Sequence, residues 1–337
     1  MPKLCVIPGD GIGKEVVPHA VQMLRRVIPD LETVEAEAGW ESFQKYGTSV
    51  PEETLRLLKD CGAGIFGAVS SPSHYVKGYR SAILVMRQEL DLFANIRPVR
   101  SLPGLCSRQD VDLIIVRENT EGLYAGRETR QGDTAIAERV ITARASKRIA
   151  QRVLTLACQN WRKKITIVHK ANILPVTDGL FRDCIYEIAA DFFPGGCPLD
   201  IDEMLVDTAA YNLVAAPERF DVIVTTNLFG DILSDVAAFW CGGMGLAPAL
   251  NLGEQVALAE PVHGSAPDIA RKGIANPIAA ILSASLLARL HWGLTEAAER
   301  IDSAVWAALD GDLQVQNYRL SESYSTQEIA EAVMRNL

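Results

Sequence analysis

The chain has 337 residues, long for a single compact core and of a size that divides into two lobes. With 48% hydrophobic and 22% charged residues it can bury a proper core, and its net charge of −9 argues against a nucleic-acid footprint while leaving room for an anionic ligand held by a few local arginines. Seven cysteines (Cys5, Cys61, Cys106, Cys158, Cys184, Cys197 and Cys241) form no CxxC pair, and no uncharged run of about 18 residues occurs, so a soluble, cytoplasmic protein with reduced thiols and no membrane span is expected.

In chain order, Lys3–Ile7 reads as a buried strand and Lys14–Arg26 as a helix. Glu52–Lys59 reads as a helix and Gly64–Val69 as a strand. Arg100–Asp110 is polar and broken by Pro103 and Gly104, which suits a crossing between lobes. Strand Val111–Val116, helix Ser146–Cys158, strand Ile165–Val168, helix Phe181–Phe192 and strand Asp221–Thr225 follow, with Pro248–Gly253 as a second candidate crossing. The alanine- and leucine-rich stretch Pro277–Leu309 reads as helical core scaffolding. Strands alternating with helices imply an α/β protein with a largely parallel sheet.

Four clusters carry chemistry. Gly9-Asp10-Gly11-Ile12-Gly13 sits between a strand and a helix, where glycines permit a tight turn and a close ligand approach. It lacks the GxGxxG spacing of the dinucleotide fingerprint, and a plain strand-to-helix turn remains the alternative. Asn227–Asp235 follows the strand DVIVTT; in a helix, Asp231 and Asp235 share one face. Nothing basic lies nearby in sequence to relieve their repulsion, so they suit Mg²⁺ or Mn²⁺, with a solvated helix face as the alternative. Arg87, Arg97, Arg117 and Lys170 stand at predicted strand or helix ends, where α/β sheets bind ligands, and arginine's planar fork suits a dicarboxylate, although each taken singly reads as a surface ion pair. In Glu260–Asp268, EPVHGSAPD, a Gly-Ser turn flanked by His263 and Asp268 could hold an adenosine, or be an ordinary loop.

The motifs GDGIGKEV, LDLFANIRPVR, VRENTEGLY, HKANIL, FDVIVTTNLFGDILSD and EPVHGSAPDIARKGIANP together resemble the β-decarboxylating dehydrogenase family, which includes the isocitrate, 3-isopropylmalate, homoisocitrate and tartrate/malate dehydrogenases. The resemblance covers nearly the whole chain. It implies a two-lobed isocitrate/isopropylmalate dehydrogenase-like α/β fold with a large twisted mixed sheet, not a true Rossmann fold. Residues 1–98 and 252–337 would form the large, cofactor-binding lobe, and residues 99–251 the small lobe with the dimer interface. It implies Asp231, Asp235 and the partner's Asp207 as ligands of Mg²⁺ or Mn²⁺. Arg87, Arg97 and Arg117 are implied as the clamp on the malate carboxylates, Lys170 as general base from the partner subunit, and Tyr124 as general acid. Asn172 would lie near substrate and nicotinamide. Ser70, Glu260, His263, Gly264, Ser265, Ala266, Asp268, Ile269 and Asn276 would line the cofactor. Relatives that use NADP carry a lysine and a tyrosine where this chain has Asp268 and Ile269, which implies NAD. A homodimer with shared sites is implied, with a tetramer as the alternative assembly.

The specificity contacts fall in Ser70–Leu84, where Ser71, Arg80, Ser81 and Leu84 are the candidate substrate residues. Ser81 matches the serine of isocitrate-specific relatives, but Ile83 replaces their asparagine. Ile83 and Leu84 suit isopropylmalate, but Arg80 stands where an acid is usual. A basic residue beside an apolar wall suits a longer chain ending in a carboxylate, and SSPSHYVKGYRSAI resembles homoisocitrate dehydrogenases more than the others. Homoisocitrate is therefore the expected substrate, with isocitrate, isopropylmalate and D-malate or tartrate as alternatives. The rival from another class is a non-catalytic binding subunit, against which stand Lys170, Tyr124, Asp207, Asp231 and Asp235, all present. Asp310–Tyr318 departs from the family's PDLGG-type segment.

Overall fold

The computed structural model describes residues 1–160, 162–321 and 323–337. Its strands are β1 (Lys3–Gly9), β2 (Glu32–Glu35), β3 (Ala63–Ala68), β4 (Ala94–Arg100), β5 (Asp112–Glu118), β6 (Glu128–Gln131), β7 (Thr134–Ala137), β8 (Lys164–His169), β9 (Asp200–Leu205), β10 (Val222–Thr225), β11 (Pro248–Leu252), β12 (Ala257–Pro261), β13 (Val315–Gln316) and β14 (Arg319–Leu320). Its helices are α1 (Gly13–Val27), α2 (Trp40–Tyr46), α3 (Glu52–Cys61), α4 (Ala82–Glu89), α5 (Ala143–Gln159), α6 (Thr177–Phe192), α7 (Val206–Ala215), α8 (Asn227–Ala237), α9 (Ile278–Leu290), α10 (Thr295–Ala307) and α11 (Thr326–Arg335). Among the described residues the main sheet has ten strands and is mixed, as the family resemblance implied, and most of its strand pairs are parallel, as the strand–helix alternation suggested.

The chain forms two compact units: Met1–Leu92, Ser101–Gln109 and Ala238–Leu337 make unit 1, and Phe93–Arg100 with Asp110–Ala237 make unit 2. In unit 1 the strand order is β2-β1-β3-β12-β11, parallel except for the antiparallel β11–β12 pair. β3, AGIFGA, is buried at every position, which is why it reads as a continuous apolar run rather than an alternating one. α9 is almost wholly alanine, leucine, isoleucine and buried serine; a helix apolar on all sides can only be a core element, and it packs on α1, α10, β11 and β12. In unit 2 the order is β4-β5-β10-β8-β9, with β4–β5 antiparallel and the rest parallel. Neither order is the 3-2-1-4-5-6 of a doubly wound dinucleotide fold.

The unit limits differ from 98/99 and 251/252 for a backbone reason. β4 pairs with β5 at every position from Ala94↔Glu118 to Arg100↔Asp112, which ties it to unit 2. β11 pairs with β12 from Pro248↔Pro261 to Leu252↔Ala257, so Pro248–Leu252 is a buried strand of unit 1. Of the other candidate crossing, Arg100–Asp110, the interior Ser101–Gln109 belongs to unit 1 and the two end residues to unit 2. The divergent C-terminal stretch carries a π-helical turn at Ala308–Asp312 and the small β13–β14 hairpin. No helix among the described residues is long and apolar enough to cross a membrane.

Candidate active site

Within unit 2, β10 runs directly into α8, and one helical turn then sets Asp231 and Asp235 on the same face. The repulsion between them is relieved by residues that sequence proximity did not offer. Arg117, at the end of β5, donates to Asp231 Oδ1, and the Tyr124 hydroxyl donates to Asp231 Oδ2. Arg97 of β4 donates to Ser234 Oγ at 2.7 Å and lies 3.4 Å from Asp235 Oδ1 and 3.6 Å from Asp231 Oδ1. Both arginines are buried, with side chains 7% and 1% exposed for Arg97 and Arg117, so each is held in one orientation. Asn227, the first residue of α8, accepts from Arg117 Nε and Nη2 at 3.0 and 2.7 Å, and Asn95 accepts from Arg97 Nε at 2.7 Å. Gly230 makes this packing possible, because a Cβ there would stand 2.6 Å from Arg117 Cγ. The Arg117 guanidinium lies 5.0 Å from the centre of the Tyr124 ring.

Burial, and next the bond to Asp231, push the Tyr124 phenol above its ordinary value, so it keeps its proton at neutral pH. Burial likewise pushes the Asp235 carboxyl up, against the pull of Arg97. Two carboxylates one turn apart offer the hard oxygen donors that Mg²⁺ or Mn²⁺ takes, and they fit as two members of its ligand set. Among the described residues of one chain, no three His, Cys, Asp or Glu side chains converge as a metal site, and Asp207 belongs to a different cluster.

That cluster lies at the other polar strand end. Lys170 follows β8, and its Nζ is 2.5 Å from Asp207 Oδ1 at the start of α7. The bond from Lys170 holds the exposed Asp207 carboxyl below its ordinary range. Beneath the lysine is a node that spacing could not reveal. Asp178, fully buried, accepts the Lys170 backbone N–H at 2.7 Å through Oδ2, and its Oδ1 is 2.5 Å from Arg139 Nη1. Arg139 also donates to Thr226 Oγ1 at 2.9 Å, just before α8, and its guanidinium lies 4.7 Å from the Phe229 ring centre. Asn172 is exposed.

In unit 1, Arg87 of α4 is buried and donates to Asn251 Oδ1 at 3.1 Å and to Glu260 Oε1 at 3.2 Å, while Asn251 Nδ2 donates to Glu260 Oε2 at 2.6 Å. A residue expected at the substrate and one expected at the cofactor are thus joined. Arg80 is exposed and donates to Gln88; Ser71 is exposed, and Ser81 and Leu84 are half-buried beside Ile83, which rests partly on the core. Ser70 Oγ donates to Ser265 Oγ at 2.8 Å, bringing together two residues expected at the cofactor. The Ser265 carbonyl accepts Ile12 N–H at 3.0 Å; Gly11, with φ +54°, is required there, since a Cβ would stand 2.1 Å from that carbonyl oxygen. Past it, Ala266 has φ +38°, Ile269 N–H donates to the Ala266 carbonyl, and Asp268 and Gly264 are exposed. His263 Nδ1 lies 3.0 Å from the Gly264 carbonyl oxygen, and burial lowers its pKa, so the ring is neutral at pH 7. Asn276 Oδ1 accepts the Ile278 N–H at 3.0 Å, so that side chain also holds the first amide of α9.

Comparison with known proteins accounts for this arrangement. The isocitrate/isopropylmalate dehydrogenase family model matches residues 3–333. The isocitrate/homoisocitrate dehydrogenase of Thermus thermophilus is 51% identical over 336 residues, 99% of this chain and 98% of that protein. The homoisocitrate dehydrogenase of Methanocaldococcus jannaschii is 48% identical over 299 residues, 85% of this chain and 84% of that protein. The crystal structure of isocitrate dehydrogenase from Methylococcus capsulatus superposes with a TM-score of 0.92 at 40% identity, covering 100% of this chain and 99% of that one. The chain belongs to the isocitrate/isopropylmalate dehydrogenase family. It is an enzyme, a β-decarboxylating dehydrogenase that oxidises and decarboxylates a hydroxy acid.

Proposed function

We propose that the substrate is homoisocitrate, converted to 2-oxoadipate and CO₂ with NAD as oxidant and Mg²⁺ or Mn²⁺ bound. The observation that carries this reading is Arg80, an exposed guanidinium just before α4, beside the apolar Ile83 and Leu84 and on the segment that leads to Arg87. A dicarboxylate with a longer acidic arm fits a cation set beyond an apolar wall. The similarity to the Thermus and Methanocaldococcus enzymes supports the same choice. Isocitrate is the second reading, favoured by Ser81 and by the first of those names; isopropylmalate needs Arg80 to stand aside, and D-malate or tartrate has no longer acidic arm to reach it.

Asp231, Asp235 and the partner subunit's Asp207 would hold the cation, which would supply Lewis acidity to the substrate's oxygens, and NAD would supply the hydride acceptor. Arg87, Arg97 and Arg117 bind the carboxylates. Lys170, from the partner subunit, accepts the hydroxyl proton. After CO₂ leaves, Tyr124 returns a proton to the carbon that lost it, a task its raised pKa suits. Asn172 lies by substrate and nicotinamide. Ser70, Glu260, His263, Gly264, Ser265, Ala266, Ile269 and Asn276 line the cofactor, and the Asp268 carboxylate favours a ribose hydroxyl over a 2′-phosphate. A homodimer with shared sites is supported by the separation of the Lys170–Asp207 pair from the α8 carboxylates, and by exposed apolar residues such as Val176, Tyr211 and Val214 in unit 2. A reducing, cytoplasmic setting is supported by cysteines that are all free.

The test is NADH formation with Mg²⁺ against homoisocitrate, isocitrate, 3-isopropylmalate, D-malate and tartrate, ranked by kcat/KM. The highest value for homoisocitrate is expected, with Arg80→Val cutting it selectively. A higher value for isopropylmalate or isocitrate overturns the substrate assignment. Silence on every acid by folded, metal-binding protein would favour the non-catalytic subunit.

A further inference from the structure

The β1–α1 turn and the first turn of α1 carry two acidic residues, Asp10 and Glu15, to which the dehydrogenase chemistry gives no work. Asp10 is 2% exposed, and its carboxylate accepts the backbone N–H groups of Trp40 at 2.7 Å, Glu41 at 3.1 Å and Ser70 at 2.8 Å. It ties the start of α2 and the segment after β3 to the β1–α1 turn. Two residues on, Ile12 N–H holds the Ser265 carbonyl at 3.0 Å. Glu15 reaches the far end of that same loop: Oε1 accepts the Arg271 N–H at 2.5 Å and Oε2 the Gly273 N–H at 2.8 Å. Both of those residues are left-handed, Arg271 at φ +66° and Gly273 at φ +65°. That conformation costs an arginine about 1–2 kcal/mol, which the bonds to its amides help offset. Glu15 also borders a cavity of about 370 Å³ whose walls include Gly11, Ser70, Pro267, Ala270 and Arg271.

We propose that Glu15 is a positioning residue for the cofactor. Its carboxylate, spanning two backbone amides, fixes the 265–273 loop in the form that meets the adenosine, and so sets the affinity for NAD without touching the hydroxy acid. The proposal rests on the reading that this loop takes the cofactor. Glutamine at position 15 has the same size but only one acceptor oxygen; its NH₂ faces the second backbone N–H, donor against donor. The loop then samples other shapes, and apparent affinity falls in proportion to the competent fraction.

The experiment compares wild type, Glu15→Gln, Glu15→Asp and Asp268→Ala by NADH fluorescence titration, steady-state kinetics and amide hydrogen exchange. Glu15→Gln is expected to weaken NADH binding and raise the KM for NAD about tenfold, as for a competent fraction of roughly one-tenth. The KM for the hydroxy acid and kcat stay near wild type, the Arg271 and Gly273 amides exchange faster, and Glu15→Asp, which keeps the carboxylate, recovers part of the loss. NADH affinity within about twofold of wild type in Glu15→Gln, when Asp268→Ala weakens it, overturns the proposal alone. Unchanged affinity in Asp268→Ala removes the cofactor reading of the loop, and the proposal with it. A joint fall in thermal stability, kcat and both affinities in Glu15→Gln and Glu15→Asp shows a merely structural role and also overturns it.

Discussion

Replacing Asp178 with asparagine tests whether the buried node beneath Lys170 is a true charge pair. The side chain is fully buried, 2.5 Å from Arg139 Nη1 and 2.7 Å from the Lys170 amide nitrogen. At an effective dielectric near 20, unit charges at that separation attract by about 7 kcal/mol, most of which offsets the cost of taking both out of water. Asparagine keeps the shape and one acceptor but leaves the Arg139 guanidinium, 15% exposed, without a counter-charge. Orphaning one member of a buried pair costs about 3–5 kcal/mol; because the Lys170 bond can survive, about 3 kcal/mol is expected for Asp178→Asn. Urea unfolding followed by circular dichroism measures it, alongside Arg139→Met and the double variant. The double variant should lose clearly less than the sum of the two singles, since it leaves no charge unpaired. A loss below about 1 kcal/mol in Asp178→Asn, or strictly additive losses, would refute the argument.

Two other outcomes follow from the geometry. Burial lowers the pKa of His19, His169 and His263 from 6.5, so between that value and the lower folded value the unfolded chain binds more protons at these rings, and their contribution to stability falls as pH drops below about 6.5. Urea midpoints taken from about pH 8 to about pH 5 should show this decline, with a shallower slope in His263→Gln; a flat profile contradicts it. Chelation by EDTA should abolish turnover and added Mg²⁺ restore it, while Asp235→Asn should raise the Mg²⁺ concentration needed by at least about tenfold. An unchanged Mg²⁺ requirement in that variant would remove Asp235 from the ligand set.

What the sequence disclosed was whatever a local pattern can encode. Asn227–Asp235 could be placed because a short apolar strand, a polar turn and a helical spacing follow one another, and α8 has just that form. β4 escaped the reading: Ala94–Arg100 carries two arginines and a proline, which looks like a surface segment until Arg97 is seen buried against Asn95 and Ser234. The antiparallel β11–β12 pair escaped for a related reason, since Pro248 and Asn251 read as a break between lobes. The supporting residues of the site, Asp178, Arg139, Asn227 and Asn251, have partners far along the chain and no spacing that announces them. Glu15 was inside a quoted motif, yet the two amides it binds lie at the opposite end of the sequence.

The split make-up of unit 1 governs how the chain can fold as it leaves the ribosome. β3 must wait for β12, to which it pairs from Ala63↔Ala257, and α1 must wait for α9, whereas nearly all of unit 2 lies in the single run Asp110–Ala237. At 5–20 residues per second that run takes on the order of 10 s to emerge. During that interval β1, β2, β3 and α1 can contact one another, but the edge of β3 that pairs with β12 and the side of α1 that packs on α9 stay uncovered, and unit 2 is free to close first. Long-range strand pairing of this kind is slow and exposes aggregation-prone edges, so the nascent N-terminal segment is where a chaperone would be needed.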